Sequence, residues 1–248
     1  MARYVLRVLE TVRRCPDVVS LRLARPEEYS FVAGQYLLLT LKTAEGALTK
    51  PFTHSSSPHD PYLEITTRLS GSVFKKTLET LGREDTVHVT GPAGRFAVPD
   101  GESRVAFLVG GVGITPAISM LRWWSEQGAG PDDPVLFYGN RDVGCVPFAD
   151  ELLALEDAGS LRRILVFEAT DKEWSGERGF ITAEVVQRHL DPVAQWLFVV
   201  AGPPAMVDAM ERVLDALDVP AGRRLVERFS TSARPEYPGE ACEAGRGI

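Results

Sequence analysis

The sequence predicts two domains in tandem, an N-terminal antiparallel β-barrel and a C-terminal α/β domain built on a doubly wound parallel sheet. Short strand-like segments separated by turn residues occur up to residue 98, whereas strands and helices alternate after residue 104. A polar, turn-rich segment at residues 99–103 separates the two patterns. We therefore place the barrel at residues 1–98, the α/β domain at residues 104–229, and a loose extension at residues 230–248.

The barrel is predicted from short strand-like segments and a single helix, a combination typical of closed β folds. The helix, at residues 73–81, follows Gly71 and Ser72. At such a position a capping hydroxyl and free backbone N–H groups can contact an anion. The predicted strands are residues 3–13, 18–24, 35–41, 62–68 and 86–90.

The α/β domain is predicted from four strand–helix units. Continuous apolar segments such as residues 105–109 and 196–200 indicate parallel strands that are covered on both faces. This arrangement is typical of nucleotide-binding domains. The predicted strands are residues 104–109, 135–138, 161–169 and 196–201, and the helices that follow them are residues 117–126, 148–155, 182–188 and 205–217.

Composition and charge exclude several classes of protein. The net charge of −7 disfavours a nucleic-acid partner, because attraction to phosphate requires a basic surface. The N-terminal residues lack the apolar segment of a secretory signal. The longest apolar stretch, residues 105–118, is shorter than the roughly 20 residues that cross a bilayer. We expect a cytoplasmic protein without membrane insertion.

The three cysteines, Cys15, Cys145 and Cys242, are far apart in the sequence and form no C-x-x-C pair. They are too few for an all-cysteine iron–sulfur cluster. We predict no such cluster and no metal site, and we interpret the cysteines as incidental small residues in a reducing compartment.

The clearest local signal is a glycine-rich turn between the first apolar strand of the α/β domain and its helix. Gly110, Gly111 and Gly113 allow a tight turn and close approach of a pyrophosphate, and the helix supplies backbone donors. Thr115 and Pro116 suit the start of that helix. Plain chain reversal is the alternative interpretation.

A second signal, residues 50–58, combines a cation, an aromatic ring and a row of hydroxyl groups. Lys50 can neutralise a phosphate, and Phe52 can pack along a planar cofactor. In isolation the segment is more typical of a serine-rich loop than of a cofactor site. His54 is more typical of a surface or packing residue than of a catalytic acid or base.

Over residues 3–229 the chain resembles the ferredoxin–NADP reductase family of flavoenzymes, because several motifs of that family occur in it in the family's order. They are residues 50–53, 71–74, 91–96, 110–116, 138–141, 201–206 and 227–229. The resemblance implies an FAD site in the barrel and an NAD(P)H site in the α/β domain. The implied flavin-binding residues are Lys50, Pro51, Phe52, Thr53, Thr66, Arg68, Gly71, Ser72 and Val73.

The same resemblance implies that the nicotinamide nucleotide is bound at the carboxyl edge of the parallel sheet. The implied binding residues are Gly110, Gly111, Gly113, Thr115, Pro116, Asn140, Arg141, Gly202, Pro203 and Met206. Thr115, Ala201 and Phe229 are the implied catalytic positions. Phe229 either guards the position where the nicotinamide stacks or fills the core at the end of the sheet.

Three positions depart from the family pattern. Lys50 replaces an arginine and lacks its bidentate fork, which predicts modest flavin affinity. Phe52 replaces a tyrosine and lacks its hydroxyl group. Ala201 replaces a cysteine beside the expected nicotinamide position, which predicts slower turnover.

The resemblance implies hydride transfer from NAD(P)H to FAD and onward electron transfer to a separate acceptor, such as a ferredoxin, a flavodoxin or an oxygenase component. Three alternatives stay open at this point: a flavin reductase that uses free flavin, an electron-transfer subunit of a larger complex, and a nucleotide-binding sensor. The choice between NADH and NADPH is also open, because Asp142 beside Arg141 would repel a 2′-phosphate. The basic pairs at 75–76, 162–163 and 223–224 are candidates for docking an acidic partner, although solvated surface charges are the simpler interpretation.

Overall fold

A computed structural model describes residues 1–170 and 172–229 of the chain. It contains one six-stranded antiparallel sheet and one six-stranded parallel sheet. The two sheets are formed by consecutive halves of the sequence, as predicted. The extension predicted at residues 230–248 lies outside the described residues.

The antiparallel sheet forms the front domain and has the strand order β4-β3-β6-β1-β2-β5. Its edge strands approach each other, because His54 after β4 forms an isolated bridge with Ile65 of β5. This closure confirms the predicted barrel class. The elements are β1 (Ala2–Cys15), β2 (Val18–Ala24), β3 (Tyr36–Thr43), β4 (Gly46–Thr53), β5 (Tyr62–Arg68), α1 (Val73–Glu79) and β6 (Thr86–Ala93).

Strand β4 corrects the expectation of a serine-rich loop at residues 50–58. Lys50, Pro51 and Phe52 continue the strand and pair with β3. The prolines of a sheet are confined mostly to its edges, because proline cannot donate a ladder hydrogen bond. Since β4 stands at one end of the strand order, Pro51 is accommodated there.

The parallel sheet forms the rear domain and has the strand order β10-β9-β8-β7-β11-β12. Its four central strands and the helices that follow them confirm the predicted α/β domain, and two short edge strands are added to them. The elements are β7 (Val105–Gly110), α2 (Ile114–Gln127), β8 (Val135–Asn140), α3 (Ala149–Asp157), β9 (Arg162–Phe167), β10 (Glu177–Arg178), α4 (Ala183–His189), β11 (Leu197–Gly202), α5 (Pro204–Ala216) and β12 (Arg224–Arg228).

Strand β7 shows why the rear strands are apolar throughout. Val105, Phe107 and Val109 pack into the core on one face of the sheet, whereas Ala106 and Leu108 pack into the core on the other face. All five residues are fully buried. Because helices cover both faces, no position along the strand faces water.

Helix α2 of the rear domain is attached to the front domain along one of its faces. Ser119 Oγ donates a hydrogen bond to the Ser56 carbonyl oxygen at 2.6 Å, and Glu126 accepts one from the Ser57 hydroxyl. Arg122, between them on the same helical face, donates to the Ser55 carbonyl oxygen at 2.6 Å. The segment that follows β4 is therefore fixed to the rear domain.

A buried carboxylate reinforces this contact. Glu64 of β5 has no exposed side-chain surface and accepts hydrogen bonds from Arg14 at 2.7 Å, Arg22 at 2.8 Å and Arg122 at 3.1 Å. Burial alone would raise the pKa of Glu64, but the three guanidinium groups hold that pKa below its usual value. The carboxylate stays ionised and joins β1, β2 and α2.

A disulfide bond also joins the two domains, and the interpretation of the cysteines as incidental was wrong for two of them. Cys15, the last residue of β1, is bonded to Cys145 in the loop that follows β8. Their Cα atoms are 5.3 Å apart, within the range that disulfide geometry requires. The sequence could not reveal this pair, because 130 positions separate its members.

Candidate functional site

The glycine-rich turn lies between β7 and α2, as predicted. Residues Gly111–Gly113 form a single 3₁₀ turn, and Gly111 has a φ of +52°, in the left-handed region that favours glycine. The Tyr138 hydroxyl donates a hydrogen bond to the Gly111 carbonyl oxygen at 2.9 Å. This contact from the neighbouring strand β8 fixes the turn.

Gly113 is required for packing between this turn and β11. A Cβ atom at position 113 would lie 2.3 Å from the Ala201 carbonyl oxygen and 3.0 Å from the Gly202 Cα atom. Both contacts are with backbone, which cannot move aside as a flexible side chain can. The turn and the end of β11 therefore approach each other closely because residue 113 has no side chain.

The end of β11 supplies the second group of predicted residues. Met206, in the first turns of α5, places its sulfur 2.7 Å from where a Cβ of Gly110 would lie and 2.9 Å from that of Gly202. The structure therefore brings the motif at 110–116 and the motif at 201–206 together. Ala201 is fully buried there, whereas Pro203 is exposed.

Thr115 and Pro116 lie inside the first turn of α2 and are buried. The Thr115 hydroxyl donates to the Val112 carbonyl oxygen at 3.2 Å. It therefore stabilises the start of the helix in this structure. Its predicted contact with a cofactor stays a prediction.

Asn140 and Arg141 follow the same edge of the sheet at the end of β8. Asn140 is buried, and its amide nitrogen lies near the Tyr138 hydroxyl but has no hydrogen bond of good geometry among the described residues. Arg141 is exposed. A buried donor without a partner is costly, so a polar ligand group at this edge would relieve it.

The front domain reaches the same turn through Arg68, the last residue of β5. One of its guanidinium nitrogens lies 3.5 Å from where a Cβ of Gly111 would stand, and the side chain forms an ion pair with Asp17. Asp17 lies two residues after Cys15, whose disulfide holds the loop after Asn140. The predicted flavin and nicotinamide sites therefore adjoin at this point.

The residues predicted to bind the flavin ring and phosphate lie along β4. Phe52 is 9% exposed and stacks on Phe74 of α1 with ring centroids 5.9 Å apart. Lys50 is partly buried, Pro51 is exposed and Thr53 is buried. In this structure Phe52 offers little open ring surface.

Thr66 belongs to a buried hydroxyl network. Its hydroxyl lies 2.7 Å from that of Ser20 and 2.8 Å from that of Ser55. These bonds use the side chain within the protein. A role of Thr66 in binding flavin stays a prediction.

Gly71, Ser72 and Val73 start helix α1, as predicted. The Ser72 hydroxyl accepts a hydrogen bond from the Lys75 backbone N–H at 3.4 Å and caps the helix. Gly71 and Ser72 are exposed, and a Cβ at position 71 would meet nothing within 4 Å. This end of the helix is open to a ligand.

Phe229 follows β12 and donates its backbone N–H to the Gly202 carbonyl oxygen at 2.9 Å. Its ring is partly buried against the rear-domain core that contains Ala201. The residue thus stands beside the motif at 201–206. Its guarding of the nicotinamide position and its service to the core alone both stay predictions.

Glu227, two residues before Phe229, is a site residue that was not among the predicted binding or catalytic positions. Strand β12 places it in register with Ala201 of β11. Its Oε2 atom is buried and has no hydrogen-bond partner among the described residues. Burial raises the pKa of this carboxyl group to about 7, so it can hold a proton near neutral pH. Its place in a Glu-x-Phe segment was the only signal available in the sequence.

The Glu227→Gln variant should become more stable than the parent as the pH rises. In the unfolded chain the carboxyl group ionises near pH 4.5, whereas in the folded chain it keeps its proton until about pH 7. The free energy of unfolding of the parent therefore falls as the pH rises between these two values, by up to about 3 kcal/mol for a pKa shift of this size. Urea denaturation of both proteins should show this gain at pH 8 and little of it at pH 4.5. An equal difference in unfolding free energy between the two proteins at both pH values would contradict a buried, protonated carboxyl group.

The described residues contain no group of three or more His, Cys, Asp or Glu side chains that could hold a metal ion. None of the helices in that part of the chain has both the length and the apolar character that crossing a membrane requires.

The chain matches two models of oxidoreductase domains. The oxidoreductase FAD-binding domain matches residues 5–98, and the oxidoreductase NAD-binding domain matches residues 107–212. The reductase component of propane 2-monooxygenase from Mycolicibacterium goodii is 30% identical over 235 residues, which cover 90% of this chain and 67% of that protein. The chain belongs to the ferredoxin–NADP reductase family. Its front domain is the FAD-binding domain, and its rear domain is the NAD-binding domain of that family.

Other members support the same assignment. The ferredoxin reductase component of a 3-ketosteroid-9-alpha-monooxygenase from Rhodococcus rhodochrous is 26% identical, with coverage of 96% of this chain and 68% of that protein. A ferredoxin NADP⁺ reductase from Neisseria gonorrhoeae has the same fold, with a TM-score of 0.77, 22% identity, and coverage of 88% and 92% of the two chains. The chain spans 61–67% of the length of the three propane 2-monooxygenase reductase components that it matches.

The residues present fit both cofactors of this family. Asn140 and Glu227 each have a buried polar atom without a hydrogen-bond partner in the described part of the chain, and both lie at the carboxyl edge of the parallel sheet, where a nucleotide would bind. At the same edge, the turn that ends at Gly113 depends on the absence of a side chain. On the flavin side, Lys50 carries a positive charge on β4 that acts on Lys75 of α1, and the start of α1 at Gly71 and Ser72 is exposed.

Proposed function

We propose that this protein takes electrons from NAD(P)H and passes them, through FAD, to a separate electron-acceptor protein. The observation that carries this proposal is the meeting of the two nucleotide-binding domains at Arg68 and Gly111. When bound, FAD would accept two electrons as hydride and release them to the acceptor. The protein residues would bind and orient the two cofactors and exclude water from between them.

The residues at the cleft have separable tasks in this proposal. The turn at 110–113 and Asn140 bind the nicotinamide nucleotide. Ala201 packs at the reacting end, where a small side chain leaves room for a ring, and Glu227 holds a proton nearby. Hydride transfer needs no ionisable side chain as an acid or base, which agrees with the absence of a His–Asp pair among the predicted site residues.

The acceptor is proposed to be an oxygenase component, a ferredoxin or a flavodoxin. This rests on the names of the relatives, several of which are reductase components of monooxygenases. The basic pairs give limited support for a charged docking site. Four of their arginines are already paired with acidic residues, namely Arg162 with Asp133, Arg163 with Glu156, Arg223 with Glu102 and Arg224 with Asp215.

The proposal is tested with the purified full chain. We expect a yellow protein that contains FAD and is bleached anaerobically by NADH or NADPH, with reoxidation by an added ferredoxin or one-electron dye. Titration with each nicotinamide nucleotide settles which of the two is used. A colourless preparation that gains no bound flavin from excess FAD would overturn the proposal.

A flavin reductase is the second candidate, because Lys50 offers a weaker phosphate contact than the arginine usual in this family. The two functions differ in what happens to the flavin. If flavin does not co-purify and the rate saturates with added free flavin, the flavin is a substrate. Retention of one flavin through gel filtration would exclude that function.

We also propose a cytoplasmic location, because NAD(P)H is supplied there. The Cys15–Cys145 disulfide is unusual for that compartment. Alkylation of free thiols in cell extracts, before any exposure to air, would report whether the bond exists in the cell. A fully oxidised pair together with export of the protein would contradict the proposed location.

A further inference from the structure

Lys75 of helix α1 is placed unusually for a lysine on a surface helix. Its side chain is partly buried, and its ammonium group lies 4.4 Å from the centroid of the Phe52 ring and 5.9 Å from that of Phe74. The same ammonium group donates a hydrogen bond to the Thr67 hydroxyl. Lys75 is therefore drawn onto the flavin-binding strand β4, and it is not an exposed docking charge.

The second observation concerns the charge of Lys75. Among the described residues no carboxylate forms an ion pair with it, and Phe52, Phe74 and Thr67 are all uncharged. Burying a cation without a counter-ion is costly. Such a site is stabilised when an anion binds.

A second positive charge, that of Lys50, acts on Lys75. Burial and the charge of Lys50 together lower the pKa of Lys75 to about 8, with burial the larger cause. Lys50 belongs to strand β4 and Lys75 to helix α1, and the Lys75 ammonium group lies over the ring of Phe52, which follows Lys50 by two residues on β4. A positive charge that acts on a second, partly buried ammonium group favours the binding of an anion there.

We propose that Lys75 binds the phosphate moiety of the flavin nucleotide together with Lys50. We call these two residues the two-lysine site. Two lysines would replace the single arginine usual in the family, and each would neutralise one negative charge of a diphosphate. The proposal concerns the cofactor and not the electron acceptor, so its failure would leave the proposed function untouched.

The proposal requires that Lys75 act on the phosphate and not on the flavin ring. Riboflavin, FMN and FAD share the ring, but riboflavin has no phosphate. We expect Lys75→Met to weaken binding of FAD and FMN by about 10- to 100-fold, as for loss of a charge-assisted contact. Binding of riboflavin should change less than about twofold, because methionine keeps the apolar stem of the side chain.

Lys75→Met and four further variants are compared with the parent by fluorescence titration of the flavin-free protein with each of the three flavins. Lys75→Arg should retain FAD affinity, since the charge is kept. Lys76→Met serves as the matched control, because Lys76 is the exposed neighbour on the same helix and should have no effect. Lys50→Met should resemble Lys75→Met, and the double variant should lose less than the product of the two losses.

Two results would overturn the proposal. An equal loss of riboflavin and FAD affinity in Lys75→Met would show that Lys75 supports the ring or the fold. Unchanged FAD affinity in a folded Lys75→Met protein would show that it binds no phosphate. If that variant does not fold, the parent protein decides: inorganic pyrophosphate should compete with FAD but not with riboflavin, and competition with neither would exclude an anion site.

Discussion

Replacing Cys15 with serine is expected to lower the melting temperature by about 10–20 °C under oxidising conditions. The disulfide closes a loop of 130 positions between the two domains. In the chain-entropy description, opening a loop of that length costs about 5 kcal/mol of unfolding free energy. Thermal denaturation followed by circular dichroism would measure the loss.

A reducing agent provides the control for this prediction. Dithiothreitol should lower the melting temperature of the parent protein to that of Cys15→Ser, and it should not affect the variant further. Cys145→Ser and the double variant should match Cys15→Ser, because each removes the same bond. If dithiothreitol does not change the melting temperature of the parent protein, a stabilising disulfide is contradicted.

The Gly113→Ala variant is expected to lose nicotinamide affinity by about tenfold or more while retaining its flavin. The added methyl group would stand 2.3 Å from the Ala201 carbonyl oxygen, and the nearest atoms are all backbone. To relieve this steric clash, the glycine-rich turn and the end of β11 must move apart, which typically costs about 1–3 kcal/mol. Because both segments belong to the proposed nicotinamide site, we expect this cost to fall on nucleotide binding. Calorimetric titration with NAD⁺ and NADP⁺ would measure it.

Gly222→Ala is the matched control in the same domain, since a Cβ there would meet nothing within 4 Å. It should leave both affinities unchanged. Absorption spectra would establish whether each variant retains flavin. Parallel loss of flavin and nicotinamide in a folded Gly113→Ala protein would contradict two separate sites.

The sequence predicted those parts of the fold that have local signals. Strands at 18–24 and 62–68 were predicted with the bounds that the structure shows, because alternating and β-branched residues mark them. Strand β4 was missed because Pro51 disfavours most strand positions, and its edge location was not visible in the sequence. Strand β12 was missed because Arg224, Glu227 and Arg228 give it a polar character that an edge strand tolerates.

The same limit applies to the site. The glycine motif at 110–116 and the motif at 201–206 were recognisable because backbone turns constrain residue type locally. Lys75 looked like half of an exposed basic pair, since only its tertiary contact with Phe52 shows that it is partly buried. The Cys15–Cys145 bond and the unpartnered carboxyl of Glu227 likewise depend on residues that meet through the fold.

Helix α2 acts as a fixed spacer between the two halves of the protein. It begins at the glycine-rich turn of the rear domain. Further along the same helix, three side chains bond to the segment that follows β4, namely those of Ser119, Arg122 and Glu126. Each residue of an α-helix advances the chain by about 1.5 Å and turns it by about 100°. A single insertion before Ser119 would therefore rotate all three residues away from the front domain, and it would also displace Leu121, which packs in the rear-domain core. The rotation of this helix about its own axis therefore helps to fix how the two domains face each other.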